Sequence, residues 1–392
     1  MRKREYDFWL LFTVLVLLAL GTIMVFSASS YTALSTQGNK YHYLIRQVIW
    51  VTVGLIAMFV VSNIDYRRIA LSSPILLVIC VVLLVLVRIP GIGSNVNGSW
   101  RWFNFGPASF QPSEFAKIAL ILFLSFSLSK NSHRLQYFFT GLLPYLMVVG
   151  FIDLLLLLEP HKSATLLITM VSAIILFCAG ARIWHFIVLG VPAVAGGIYI
   201  IMKDAYSMQR ILAFWDPFKY PQDIGYQIIN SLYAIASGSV FGRGLGKSLQ
   251  KYLYLPEPHN DFIFSILAEE LGFVGALTVV ILFMLFIWRG LKIAMNAPDM
   301  MGSLIAAGIT SLVALEAVIN IAVVTSTIPA TGMPLPFFSY GGTSLVFLLI
   351  AIGILLNISK GASQMPVRSK GIVSESYAGR DVTSRKAGEF DI

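Results

Sequence analysis

The amino-acid sequence predicts an all-α integral membrane protein of about ten transmembrane helices, with both termini cytoplasmic and a large extracytoplasmic loop between helices 7 and 8. Three observations carry this. Of 392 residues, 57% are hydrophobic and 12% are charged, about half the charged share of a soluble domain. The apolar residues gather in runs of the length needed to cross hydrocarbon. The cations of the short connections fall in alternate connections.

The runs cover 8–27, 44–62, 72–87, 115–129, 140–158, 164–180, 184–202, 262–288, 303–325 and 343–358. Those at 72–87 and 115–129 are short for a span and are expected to extend beyond these limits. Arg2-Lys3-Arg4 precedes the first run, Phe8 to Ser27. That run is too long for the core of a cleavable signal and reads as an anchor with a cytoplasmic N-terminus. With ten spans, Arg67-Arg68, Lys130 with Arg134, Arg182, Arg289 with Lys292, and Lys360, Arg368 and Lys370 join that side. Cytoplasmic loops carry such an excess of cations, and an even number of spans returns the C-terminus there. Residues 1–360 read as one polytopic membrane domain, and 361–392 as a polar, disordered cytoplasmic tail.

The other side carries the long loops: 88–114, which contains Asn97-Gly98-Ser99-Trp100-Arg101-Trp102; 203–261; and 326–342, rich in Pro and Gly. Long loops on a membrane scaffold commonly hold function. No internal repeat is visible, so the inverted-repeat signature of many transporters is absent. The net charge of +9 does not point to nucleic acid, because the cations are scattered over many short loops. Membrane lipid headgroups account for them better. Cys80 and Cys178 both lie inside apolar runs, which suits packing rather than a disulfide or a metal site.

Chemistry is concentrated at the outer boundaries. In Leu255-Pro256-Glu257-Pro258-His259-Asn260-Asp261-Phe262 two prolines stiffen an extended entry to an apolar helix. Asp261 there is an N-cap, a general base with a raised pKa at an apolar edge, or both. Helical spacing puts Asp261, Ser265 and Glu269 on one face, with Glu269-Glu270 roughly 12 Å further along. Such deep carboxylates line a wet cavity or form a buried packing network. Glu114 and Lys117 stand at i, i+3, where an ion pair forms. Asp153, Glu159, Glu316 and Asn320 add polar groups in or beside the spans, and Glu316 and Asn320 share a face. The largest loop holds Lys203, Arg210, Lys219, Arg243, Lys247 and Lys251. These cations are either a solvated surface or a phosphate site. Gly238, Gly242, Gly244 and Gly246 beside them are a weak phosphate signal. Pro336-Phe337-Phe338-Ser339-Tyr340-Gly341-Gly342 opens the last span, either as a turn and cap or as an anion-binding helix start. No P-loop, metal-ligand cluster or Ser/His/Asp set is present.

Five segments, Gln111-Pro112-Ser113-Glu114, Gly225-Tyr226-Gln227, Gly242-Arg243-Gly244-Leu245-Gly246, Leu255 to Phe262 and Pro336 to Gly342, together resemble the SEDS family (shape, elongation, division and sporulation proteins). They occur in that family's order over nearly the whole chain. Phe26-Ser27-Ala28-Ser29 and Asn296-Ala297-Pro298-Asp299 resemble the FtsW/SpoVE branch more than the RodA branch. The resemblance implies a peptidoglycan glycosyltransferase that polymerises lipid II outside the cytoplasmic membrane, with a class B penicillin-binding protein as transpeptidase partner. It implies Asp261 as the catalytic aspartate and maps the family's fourth-helix Glu and Lys onto Glu114 and Lys117. Its loop arginine maps onto Arg210. Arg243, Lys251, Ser265 and Glu269 complete the candidate substrate contacts. No cofactor and no protein metal site are expected, and a divalent ion bridging substrate phosphates stays open. The chain departs from the family at Glu159-Pro160-His161-Lys162, where an acid usually stands in place of His161. A lipid II transporter and a non-catalytic scaffold are the competing readings.

Overall fold

The computed structural model describes residues 5–362 apart from 97–98, 107, 222–223, 253–254 and 256–258. The N-terminal basic cluster, the prolines of the 255–262 motif and the polar tail beyond 362 therefore lie outside the described residues.

The chain is a multi-pass helical bundle. Helix α1 (Phe8–Gln37) starts where the Asp7 carboxylate accepts the amide of Leu10 at 2.9 Å, and ends at Gly38 in the left-handed conformation, φ 67°. A side-chain cap and a glycine stop are what helix ends require. At 30 residues it is about 45 Å long, so it outruns the predicted 8–27 and the bilayer core. Helix α2 (His42–Ser62) leads through the short α3 (Tyr66–Leu71) into α4 (Ser73–Leu86). Helices α5 (Pro112–Asn131), α6 (Leu143–Leu158), α7 (Lys162–Cys178) and α8 (Ile183–Lys203) follow. The last third holds α9 (Ala205–Trp215), α10 (Ile224–Gly238), α11 (Ile263–Met295), α12 (Met300–Val324) and α13 (Gly342–Ala362). Among the described residues seven helices are long and apolar enough to cross a membrane, and α4, α7 and α8 are shorter apolar helices at three of the predicted runs.

Two expectations change. The loop at 88–114 folds as a small antiparallel sheet, β1 (Ser94–Val96), β2 (Ser99–Asn104) and β3 (Ser109–Phe110), in the order β1-β2-β3. The loop at 203–261 is partly helical, because it contains α9 and α10.

One end of the bundle is fastened by ion pairs and caps. Arg289 of α11 grips Asp7 with two nitrogens, one at 3.1 Å. Arg67 and Tyr66 both reach the Asp299 carboxylate, at 2.8 and 2.9 Å, while its other oxygen caps α12 at Gly302. Lys360 reaches the carbonyl of Ser62 at 3.0 Å. These contacts bring the cations of three predicted cytoplasmic segments to the same end. Helix α2 packs along α13, and α11 packs between α10 and α12.

The segment before α13 dips into the bundle. Phe337 and Phe338 are buried, with Phe337 against the rings of Phe283 and Phe286 of α11. The Phe337 carbonyl lies so close to Gly21 of α1 that a β-carbon there would overlap it, at 2.1 Å. Gly21 is about 20 Å along α1, so non-helical backbone reaches far inside the bundle. Such backbone is tolerated where protein surrounds it.

Candidate active site

Asp261 sits in a turn just before α11, half-buried. The N-cap of α11 is Phe262 and makes no side-chain cap bond, so the capping expectation for Asp261 fails. The turn is held through its main chain instead. Asn320 of α12 donates its amide to the carbonyl of Asp261 at 2.8 Å and to that of Met333 at 2.7 Å. Ser339 donates to the carbonyl of Asn260 at 2.8 Å, and the amide of Tyr340 donates to the carbonyl of His259 at 2.9 Å. The dipping segment thus fixes the turn from one side and α12 from the other. The Asp261 carboxylate faces Gly332, where a β-carbon would come within 3.3 Å of Oδ2.

Two helices meet the same stretch of chain. Arg210 of α9 donates to the carbonyl of Ala330 at 2.8 Å, and Ser163 in the first turn of α7 donates to the carbonyl of Thr331. Arg210 and Asp261 are 51 residues apart in sequence, yet both address residues 330–332.

Below this turn lies a buried ionic cluster. Lys117 Nζ is 2.6 Å from Glu316 and 2.9 Å from Glu114. The pairing expected from the i, i+3 spacing is present, and Glu316 of α12 joins it. Glu316 and Asn320 are one turn apart, so the cluster lies about 6 Å from the level of the Asp261 carbonyl along α12. The three charged residues line a small cleft of about 40 Å³ with Pro334, Pro336, Ser339 and Ser344. Lys117 carries one positive charge against two carboxylates, so it is already neutralised.

The remaining candidates belong elsewhere. Ser265 is buried and bonded to Ser231 of α10 at 2.7 Å, which in turn donates to the carbonyl of Val324. Glu269 and Glu270 are fully buried. Glu269 accepts from the hydroxyl of Ser248 and the amide of Leu249, the latter at 2.8 Å, with Arg243 4.0 Å away. Glu270 accepts from Ser27 and from Lys251, the lysine at 3.1 Å, and Lys251 is 3% exposed. The shared face expected for Asp261, Ser265 and Glu269 fails because Asp261 precedes the helix. Lys251 is no surface cation but a partner of Glu270.

The glycine stretch has a structural explanation. Helix α11 breaks at Gly272 (φ 69°, ψ −169°), which orphans carbonyls just before it. The amides of Arg243 and Gly244 supply the missing bonds, to the carbonyls of Glu269 and Glu270 at 3.0 and 2.9 Å. A β-carbon on Gly242 would lie 2.2 Å from the Glu270 carbonyl, so the approach requires glycine. Gly242 and the Gly244 amide thus pack against the helix break.

The unusual 159–162 turn lies between α6 and α7. Arg101 of β2 donates to the carbonyl of Glu159 at 3.0 Å and to that of Pro160. Burial pushes the Glu159 carboxyl up to about 8, against the opposing pull of Arg101 and Arg88. Burial lowers His161 to about 3, with Arg101 and Lys117 adding to the effect. Lys162 points away, to Asp204 and to the hydroxyl of Ser207 at 2.7 Å. Asn320, Gly332, Ser163 and Lys162 are contributors that sequence reasoning did not assign to the site. The only signal for Asn320 was its spacing from Glu316. Among the described residues no three His, Cys, Asp or Glu gather as metal ligands.

A family model described as cell cycle protein, covering FtsW, RodA and SpoVE, matches residues 8–364. Stage V sporulation protein E of Bacillus subtilis is 44% identical over 92% of this chain and 98% of its own length. The probable peptidoglycan glycosyltransferase FtsW of Trichlorobacter lovleyi is 43% identical over 94% of this chain and 97% of its own. Among solved structures, a chain from a peptidoglycan synthase complex that coordinates polymerization and crosslinking superposes with a TM-score of 0.76 at 27% identity, covering 92% of this chain and 99% of that one. The rod shape determining protein RodA of Thermus thermophilus gives a TM-score of 0.68 at 28% identity with the same coverage.

Proposed function

This chain belongs to the FtsW, RodA and SpoVE family of cell cycle proteins, and we infer from that premise that it is a peptidoglycan glycosyltransferase whose substrate is lipid II. Relatives bear the enzyme's name over almost their full length. The active site faces the outside of the bacterial cytoplasmic membrane, and the partner is a class B penicillin-binding protein that crosslinks the product.

The observation that carries the chemistry is the convergence of Asp261 and Arg210 on residues 330–332. In the reaction, the 4-hydroxyl of the acceptor GlcNAc attacks the anomeric carbon of the donor MurNAc. Asp261 takes the hydroxyl proton as the new carbon–oxygen bond forms. The bond to the undecaprenyl pyrophosphate breaks on the opposite face, and the configuration inverts. The departing pyrophosphate needs a cation. Arg210 is the first candidate, because a guanidinium offers several donors and it stands at residues 330–332 beside Asp261. Lys117 with Glu114 and Glu316 forms the polar floor of the cleft.

The test is polymerisation of purified lipid II by the purified protein with its transpeptidase partner. Asp261→Asn is expected to lower the rate by about 10²–10⁴-fold with the fold retained. Glycan made by that variant at the wild-type rate would remove the base assignment. Glu114, Lys117 and Glu316, with the buried Glu269, are groups that a lipid II transporter would also use. Vesicles that moved lipid II without forming polymer would favour that reading.

A further inference from the structure

We propose that Lys162 is a positioning residue for the reaction. Paired with Asp204 at the start of α9, it holds that helix, and with it Arg210, against residues 330–332 beside Asp261. The proposal rests on the reading of Arg210 as the pyrophosphate contact.

The contacts form a closed ring. Lys162 opens α7 and reaches the Asp204 carboxylate and the Ser207 hydroxyl, the latter at 2.7 Å. Asp204 is the N-cap of α9, its Oδ2 accepting the Ser207 amide at 2.8 Å. Ser207 and Arg210 stand at i, i+3 and share a helix face. Arg210 donates to the carbonyl of Ala330, the next residue Thr331 accepts from Ser163, and Ser163 adjoins Lys162. Two consecutive residues of α7 therefore hold both sides of the gap: Lys162 holds α9, and Ser163 holds the chain beside Asp261. The cap alone needs only Asp204 and the Ser207 amide. Lys162 is what ties the capped end to α7.

The strength of the tie sets what it can do. Both side chains of the pair are about two-fifths exposed, 40% and 37%, and exposed ion pairs are weak. Its loss is expected to change activity by roughly three- to fivefold, not to unfold the protein. The Lys162 ammonium lowers the Asp204 carboxyl to about 2, so the pair is intact throughout the neutral range.

The experiment uses the full-length protein with its partner, lipid II as substrate, and amide hydrogen exchange as a second readout. Lys162→Ala and Asp204→Ala are each expected to lower kcat several-fold with KM for lipid II within about twofold, and Lys162→Arg to retain most of kcat. Lys162→Ala should also speed exchange across 205–215 while leaving 300–324 unchanged. The exchanged pair Lys162→Asp with Asp204→Lys should run faster than Asp204→Lys alone, which loses the α9 cap equally. If the exchanged pair is no faster, or exchange in 205–215 is unaltered, the tie does not position α9 and the proposal falls. Wild-type protein that polymerises no lipid II would overturn the glycosyltransferase reading instead, and the exchange data would still judge the tie.

Discussion

Gly332 makes room for Asp261: its φ is 72°, and a β-carbon there would stand 3.3 Å from the aspartate Oδ2. Left-handed backbone costs a residue with a side chain about 1–2 kcal/mol, and the new methyl would also press on the carboxylate. Gly332→Ala is expected to lower stability by about 1–2 kcal/mol, and to lower polymerisation by more than that loss of folded protein explains. Gly150→Ala is the control, because nothing lies within 4 Å of its β-carbon position. Thermal unfolding and lipid II turnover of both variants check this. Equal turnover in the two would mean that the contact does not hold the carboxylate.

Lys117 is the sole cation between Glu114 and Glu316 among the described contacts. Removing one partner from a buried ionic group leaves uncompensated charge and costs about 3–5 kcal/mol. Lys117→Met should therefore destabilise strongly, and adding Glu114→Gln with Glu316→Gln should restore much of the loss. Turnover should stay low in the restored triple variant, because the polar floor of the cleft is gone. A triple variant as active as wild type would reduce the cluster to packing.

How far this was legible depends on the kind of signal. The apolar runs forecast the long helices, because lipid exposure forces composition over whole segments. The sheet at 94–110 was invisible as such: its strands are three, six and two residues long and alternate too briefly to read. Helices α9 and α10, of 11 and 15 residues, are too short and too polar to stand out from a loop in the sequence. Within the site, Asp261 stood out by its place between a proline-rich entry and an apolar run, and Glu114–Lys117 by helical spacing. Glu316 is 199 residues from Lys117, and nothing local connects them. Helical spacing groups Ser265 and Glu269 with Asp261 only if one helix carries all three, and Asp261 precedes α11. For Lys251 the loop's composition leaves a solvated surface and a phosphate site open, and neither includes the buried pairing with Glu270, which is 19 residues away in sequence.

A second buried ion pair lies two residues before the helix break at Gly272. Lys251 and Glu270 are 3.1 Å apart and both inaccessible, with Ser27 of α1 on the same carboxylate. Lys251→Met should destabilise by about 3–5 kcal/mol, and protein that remains folded should bind and polymerise lipid II normally. Arg243→Ala should cost far less, since Arg243 is partly exposed and 4.0 Å from Glu269. A selective rise in KM for Lys251→Met, without loss of stability, would return that lysine to the substrate site.

Glu159 should make stability fall as pH rises. Its carboxyl is 1% exposed, neither side-chain oxygen has a hydrogen-bond partner among the described residues, and burial raises it from an ordinary value near 4.5 to about 8. Below pH 4.5 the group is protonated in both folded and unfolded chains and costs nothing. Between 4.5 and 8 the unfolded chain releases the proton while the folded chain keeps it, so folding becomes less favourable with each step upward. Above 8 both states are ionised and the loss levels off, at roughly a few kcal/mol. Glu159→Gln cannot release a proton and removes this contribution. Melting curves of the two proteins in the same detergent should diverge from pH 5 to pH 8, with the variant gaining relative to wild type. Parallel curves over that range would show that the Glu159 carboxylate is already ionised in the folded protein, held by Arg101 and Arg88.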